Sequence, residues 1–147
     1  MATITSASDV DLAGRLRLAV IRTARRLRQE AGTDLGPSLT AALGTIERHG
    51  PLTPSGLAEI ERVRRPTATR WVTRLEEEGF VLRSTDPADG RVSVVTASAA
   101  GRTLLKRIRG RKNAYLARRL RELSPDEIAD LERAAVILER LLEDERA

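Results

Sequence analysis

Residues 52–101 read LTPSGLAEIERVRRPTATRWVTRLEEEGFVLRSTDPADGRVSVVTASAAG, and the order of signals in this stretch decides the fold. Thr53-Pro54 opens a short helix: the threonine caps it, and a proline in the first turn gives up no hydrogen bond that a helix would have made there. Leu57 and Ile60 are expected to supply its buried side. After a turn over residues 61–65, Pro66 takes a first helical position, and Ala68, Trp71, Val72 and Leu75 make an apolar stripe that stops at Gly79. Phe80, Val81 and Leu82 read as a strand. Asp86-Pro87-Ala88-Asp89-Gly90 reads as a turn, and Val92, Val94 and Val95 as the returning strand.

Two short helices around a tight turn, followed by a hairpin, make a winged helix-turn-helix, whose second helix is built to enter a DNA major groove. If Ala68, Trp71, Val72 and Leu75 face inward, Thr67, Arg70 and Arg74 lie opposite, with Thr69 and Thr73 beside them and no carboxylate before Glu76. Arginine can bind guanine edges through two bonds, and threonine can bond a base or touch a thymine methyl group, so this face has the chemistry of base readout.

Outward from this core, a helix begins at Asp9 after eight small polar residues expected to fray, with Leu12, Leu16, Val20, Ala24 and Leu27 on one stripe. Gly32, Gly36 and Pro37 break it. A second helix carries Leu39, Ala42, Leu43 and Ile46 and stops at His49-Gly50. Beyond the hairpin, a long basic helix starts at Thr96 or Ser98 and runs to about Leu120. Ser124-Pro125-Asp126-Glu127 then opens a last helix with a capping box, bearing Ile128, Leu131, Ala135, Leu138 and Leu142. The fold class is mainly α with a small β-hairpin wing (α+β), as one domain over residues 1–147: a DNA-binding lobe at 37–97, flanked by dimerisation helices at 9–35 and 98–146. The flanking stripes lie outside the winged core, so a second copy is expected to bury them.

Composition narrows the function. The 147 residues contain no cysteine, which excludes disulfides, thiolate metal sites, a cysteine nucleophile and thiol-based sensing. The one histidine, His49, has no clustered partner, so neither a metal site nor a histidine-dependent triad can be assembled, and no enzyme activity or cofactor is expected. No apolar run approaches the roughly 20 residues of a membrane span, and the N-terminus lacks a signal-peptide pattern, so a cytoplasmic location is expected. Net charge is +5, and 24 of the 26 basic residues are arginine. Residues 62–75 hold five arginines and no acid, and residues 91–121 hold ten basic residues and no acid; residues 122–147 reverse this, with nine acids against three arginines. A basic face set apart from an acidic tail suits a polyanionic partner.

The quoted stretch resembles the DNA-binding core of the MarR (multiple antibiotic resistance regulator) family. The resemblance rests on Leu57-Ala58, the proline-led recognition helix with Arg70, Leu75-Glu76 closing at Gly79, Arg83, the wing motif Asp89-Gly90-Arg91, and Thr96 to Gly101. It implies a homodimeric transcriptional regulator, a repressor in the first instance, on a palindromic operator of double-stranded DNA. It also implies that Pro66, Thr67, Thr69 and Arg70 meet major-groove bases, that Arg91 enters a minor groove, and that Asp89 steers Arg91 by accepting a bond from it or from a neighbouring arginine. Arg64 and Arg65, where the family commonly has small or uncharged polar residues, are read as added phosphate contacts or as a change of sequence preference, and Arg74 completes the exposed face.

Members of the family are commonly released from DNA by small aromatic or anionic effectors bound between the dimer helices and the DNA-binding lobe. Trp71, Tyr115, His49 and Arg17 are the large or polar residues near that cleft in the family plan, although Trp71 and Tyr115 are read first as packing and His49 as a helix-end residue. The sequence names no effector. The alternatives are a nonspecific, architectural DNA-binding protein and a winged-helix protein-interaction module. Acidic residues at 70, 74 or 91 would have favoured the latter.

Overall fold

A computed structural model describes residues 6–143. Six helices and one hairpin follow in order: α1 (Ala7–Ala31), α2 (Pro37–His49), α3 (Pro54–Glu61), α4 (Arg65–Glu77), β1 (Val81–Thr85), β2 (Ser93–Ala97), α5 (Ala99–Leu120) and α6 (Pro125–Glu143). The α-rich class with a hairpin wing is therefore observed.

Most helix starts follow from side-chain caps, which satisfy amide groups that the first turn leaves without partners. The Thr53 hydroxyl accepts from the Gly56 amide at 3.0 Å. At α6, the Ser124 hydroxyl accepts from the Glu127 amide at 3.2 Å and the Glu127 carboxylate accepts from the Ser124 amide at 2.8 Å, the expected capping box. A second such box, between Ser6 and Asp9, starts α1 at Ala7, two residues before the expected position. Residues 1–5 of the stretch expected to fray lie outside the described residues. These bonds also hold the Asp9 carboxyl below its ordinary range, chiefly through the Ser6 backbone amide and then the Ser6 hydroxyl.

The core sits inside the winged lobe. Leu43 and Ile46 of α2, Leu57 of α3, Val72 and Leu75 of α4, Val81 of β1 and Val95 of β2 are fully buried, and Leu104, Leu105 and Ile108 close it from the first half of α5. Burying each such side chain stabilises by about 1.5–3 kcal/mol. Ser98 ties the layers together: its hydroxyl accepts from the Gly101 amide at 3.0 Å and donates to the Gly79 carbonyl at 2.6 Å, joining the start of α5 to the turn after α4. Gly101 is required there, since a β-carbon would lie 2.2 Å from the Phe80 carbonyl oxygen.

Three sequence expectations are corrected. Ile60 is 45% exposed. In the eight-residue α3 the inward face runs through Leu57, Ala58 and Glu61, whose carboxylate accepts from the buried Thr45 hydroxyl. At roughly 100° per residue, Ile60 falls well off that face. Phe80 and Val92 are not strand residues. Phe80 sits in the bend after α4, its amide bonded to the Leu75 carbonyl at 2.8 Å, and Val92 closes the wing tip by bonds to Asp86 and Asp89. Pro66 is the second residue of α4, behind Arg65.

The flanking helices behave differently. Only Ala31 of α1 is buried, none of α6 is, and α5 buries nothing beyond Ile108. Arg109 of α5 pairs with Glu47 of α2 in the lobe at 2.6 Å, and Arg111 donates to the Ala31 carbonyl at 2.9 Å, which joins α5 to the end of α1. No helix among the described residues is long and apolar enough to cross a membrane.

Candidate nucleic-acid interface

The α4 helix divides cleanly by face. Ala68, Val72 and Leu75, spaced by four and three, are fully buried, and Trp71 packs half-buried beside them. Thr69, Arg70, Thr73 and Arg74 are exposed on the other side, and Thr67 in the first turn is half-buried. Arg64 precedes the helix in extended conformation with no side-chain cap, and Arg64, Arg65 and Pro66 are all exposed. The apolar anchor thus holds the helix by one stripe and presents the predicted reading residues as one surface.

Charge pairing sorts the arginines of this surface. Arg74 pairs with Glu78 one turn on at 2.8 Å, which draws it toward the end of α4. Arg83 of β1 pairs with Glu76 at 3.1 Å and so braces the wing against α4. Arg62, Arg64, Arg65, Arg70 and Arg91 are exposed and pair with no carboxylate among the described residues. Arg62 was missed by sequence reasoning; its signal was membership of the acid-free arginine block.

At the wing, β1 and β2 pair antiparallel from Val81 opposite Ala97 to Thr85 opposite Ser93. The tip is folded by two carboxylates: Asp86 accepts from the Ala88 amide at 2.8 Å, and Asp89 accepts from the Arg91 amide at 3.0 Å. Asp89 therefore engages the backbone of Arg91 rather than a guanidinium. The expected steering is corrected to a fixed turn from which the Arg91 side chain projects. Gly90 does not take a positive φ, and a β-carbon there would meet nothing within 4 Å, so the turn comes from the aspartates.

A separate cleft of about 580 Å³ lies between α1, the start of α2 and α5. Leu27, Ala31 and Ile108 give it an apolar lining, and Arg25, Arg28 and Lys112 line it with positive charge and no acid. None of Trp71, Tyr115, His49 and Arg17 lines it. Trp71 belongs to the lobe core, His49 is exposed at the end of α2, and Arg17 is exposed on α1. Tyr115 lies beneath two guanidiniums, Arg26 at 5.5 Å and Arg118 at 6.0 Å from its ring centre. Which helix faces enclose a space is a tertiary property, and the spacing of large residues did not carry it.

Comparison with known proteins agrees with this geometry. The MarR family model matches residues 36–93, the winged lobe up to the start of β2. The helix-turn-helix transcriptional regulator ML2140 of Mycobacterium leprae (strain TN), itself uncharacterised, is 38% identical over 138 residues, covering 93% of this chain and 96% of that protein. A crystal structure from Pseudomonas aeruginosa PA01, described as that of a transcriptional regulator protein, matches with a TM-score of 0.85 at 35% identity, over 93% of this chain and 97% of the other. Streptococcus pneumoniae FabT, solved in complex with DNA, shares the fold at 20% identity with a TM-score of 0.72, over 92% of this chain and 99% of its own. With a relative this similar along nearly its whole length, and the family match falling on the winged lobe, the chain belongs to the MarR family of helix-turn-helix transcriptional regulators.

Proposed function

We propose that the protein acts as a homodimeric repressor that reads an inverted-repeat operator and is released by a small anionic effector. One observation carries the DNA reading: five exposed arginines without carboxylate partners among the described residues, Arg62, Arg64, Arg65, Arg70 and Arg91, sit on the turn, the recognition helix and the wing. A guanidinium with no internal partner can serve phosphates and base edges. In this reading Arg70, with Pro66, Thr67 and Thr69, faces the bases, Arg64 and Arg65 hold phosphates, and Arg91 enters the minor groove. Arg74, paired with Glu78, contributes less. FabT, of the same fold, is solved with DNA.

The dimer is supported by apolar surface that a single copy leaves open: Leu12, Leu16 and Val20 on α1, and Leu131, Ile137 and Leu141 on α6. Its charges are complementary too, since residues 91–121 hold ten basic residues and no acid, whereas acids outnumber arginines nine to three after them. The effector reading is supported by the cleft beside α1 and α5, where Arg28 and Lys112 suit a carboxylate or similar anion and Leu27 and Ile108 suit its apolar body. Such a ligand releases DNA only to the extent that it prefers the arrangement that does not bind DNA.

Selection of bound duplexes from a random pool tests the proposal. It should enrich an inverted repeat with half-sites about 10 base pairs apart, since a two-fold dimer imposes its symmetry on the site. Binding without enrichment would leave the architectural reading in its place.

A further inference from the structure

The turn between α3 and α4 breaks two local rules at adjacent residues. Glu61 puts a carboxylate at the C-terminal end of α3, where the helix dipole disfavours negative charge. Arg62 takes φ 54° and ψ 45°, and is the one non-glycine residue with positive φ among the described residues. In that left-handed conformation a β-carbon crowds the following carbonyl, so the residue ending a helix this way is usually glycine.

The first departure has a structural reason, because the Glu61 carboxylate accepts from the buried Thr45 hydroxyl and so fastens the end of α3 to α2. The second has none in packing. The Arg62 side chain is exposed and joins no ion pair among the described residues. It ends α3 only through its backbone amide, which bonds to the Ala58 and Glu59 carbonyls and which glycine would supply equally well. What arginine brings to this position, and glycine cannot, is a cation.

We propose that Arg62 is a DNA-phosphate contact, held at a strained backbone position that costs the fold stability. This rests on the DNA-binding reading above and gives Arg62, one of the five arginines it names, a defined role. Val63, next in the chain, packs against the core and its amide bonds to the Ala58 carbonyl at 3.0 Å, so the turn is anchored between two outward arginines, Arg62 and Arg64. In a helix-turn-helix the first helix crosses the DNA backbone and the second enters the groove, which places the turn between them at the groove edge, over phosphates. A contact of this kind adds affinity without reading sequence.

The test compares wild type with Arg62→Gly and Arg62→Lys, each melted without DNA and titrated with duplex DNA over a range of salt. Relief of strain, partly offset by the greater freedom of glycine in the unfolded chain, should raise the melting temperature of Arg62→Gly by roughly 2 °C. The same variant should bind all sequences more weakly, with the slope of log affinity against log salt shallower by about 1 per half-site. Arg62→Lys keeps both cation and β-carbon, so it should keep the wild-type slope and gain no stability. Wild-type binding with an unchanged slope in Arg62→Gly, or a lowered melting temperature in that variant, would overturn the inference alone. Wild-type protein that showed no salt-dependent binding would overturn the DNA-binding reading and this inference with it.

Discussion

The winged lobe and the helices that flank it carry apolar stripes of the same kind, and the structure treats them in opposite ways. In the lobe, Leu43, Leu57, Val72 and Leu75 are fully buried, whereas Leu12 of α1 and Leu142 of α6 stay 60% and 66% exposed. The lobe closes its own core, because α2, α3, α4, the hairpin and the start of α5 surround it. Among the flanks, Arg109 of α5 reaches the lobe at Glu47 of α2, and Arg111 joins α5 to the Ala31 carbonyl of α1. An apolar stripe in a sequence therefore says that something must cover it, and not whether the cover belongs to the same chain. Stability of the lobe should be intrinsic, and that of the flanks should depend on protein concentration.

The largest expected effect lies in the lobe. Leu75→Ala should destabilise by about 2–5 kcal/mol, the cost of a buried leucine and the cavity it leaves, read by urea unfolding. A loss under about 0.5 kcal/mol would erase the contrast between the regions. Leu141→Glu, on the exposed face of α6, sharpens it from the other side. On a solitary chain it would be nearly neutral; in the proposed dimer it should shift sedimentation toward monomer, since each buried leucine is worth about 1.5–3 kcal/mol. An unchanged mass with an unchanged dissociation constant would remove α6 from the interface.

Smaller effects probe the turns and caps. Asp89→Ala should weaken DNA binding by about 1 kcal/mol, the worth of one hydrogen bond, although it removes a negative charge beside a polyanion. Tighter binding by this variant would reduce Asp89 to a repulsive charge. The smallest effect belongs to Asp9, fully exposed and with its carboxyl lowered by Ser6. A lowered folded-state value means that the charged form supports the cap, so its contribution is present above the ordinary value of 3.8 and is lost as pH falls through the folded one. The Ser6 amide resonance should follow that titration with a midpoint below 3.8, and a midpoint at or above it would contradict the cap.

The sequence made legible whatever depends on near neighbours. Caps at Thr53 and Ser124 are local chemistry, and so is the stripe on α4, down to the burial of Ala68, Val72 and Leu75. Ile60 was misplaced because a polar pair from two helices, Glu61 and Thr45, took the inward position that hydrophobicity would have assigned to it. Phe80 and Val92 were read as strand because they are apolar, yet backbone bonds to Leu75 and to the wing-tip aspartates hold them in turns. The cleft residues Arg28 and Lys112 lie far apart in sequence on α1 and α5, and only packing brings them together. Of the candidate interface, the exposed face of α4 was readable from its period. The steering by Asp89 was misread because its partner is an amide, and an amide is present at nearly every position.

In the proposed function, the face of α4 opposite Ala68, Val72 and Leu75 reads bases. Paired titrations at one fixed salt concentration test it most directly, using wild type and Arg70→Ala on the selected inverted repeat and on a scrambled duplex of the same composition. Arg70→Ala should lose about 1–3 kcal/mol per half-site on the repeat and much less on the scrambled duplex, as loss of a base contact does. An equal loss on both would make Arg70 a phosphate contact and would contradict the reading of this face.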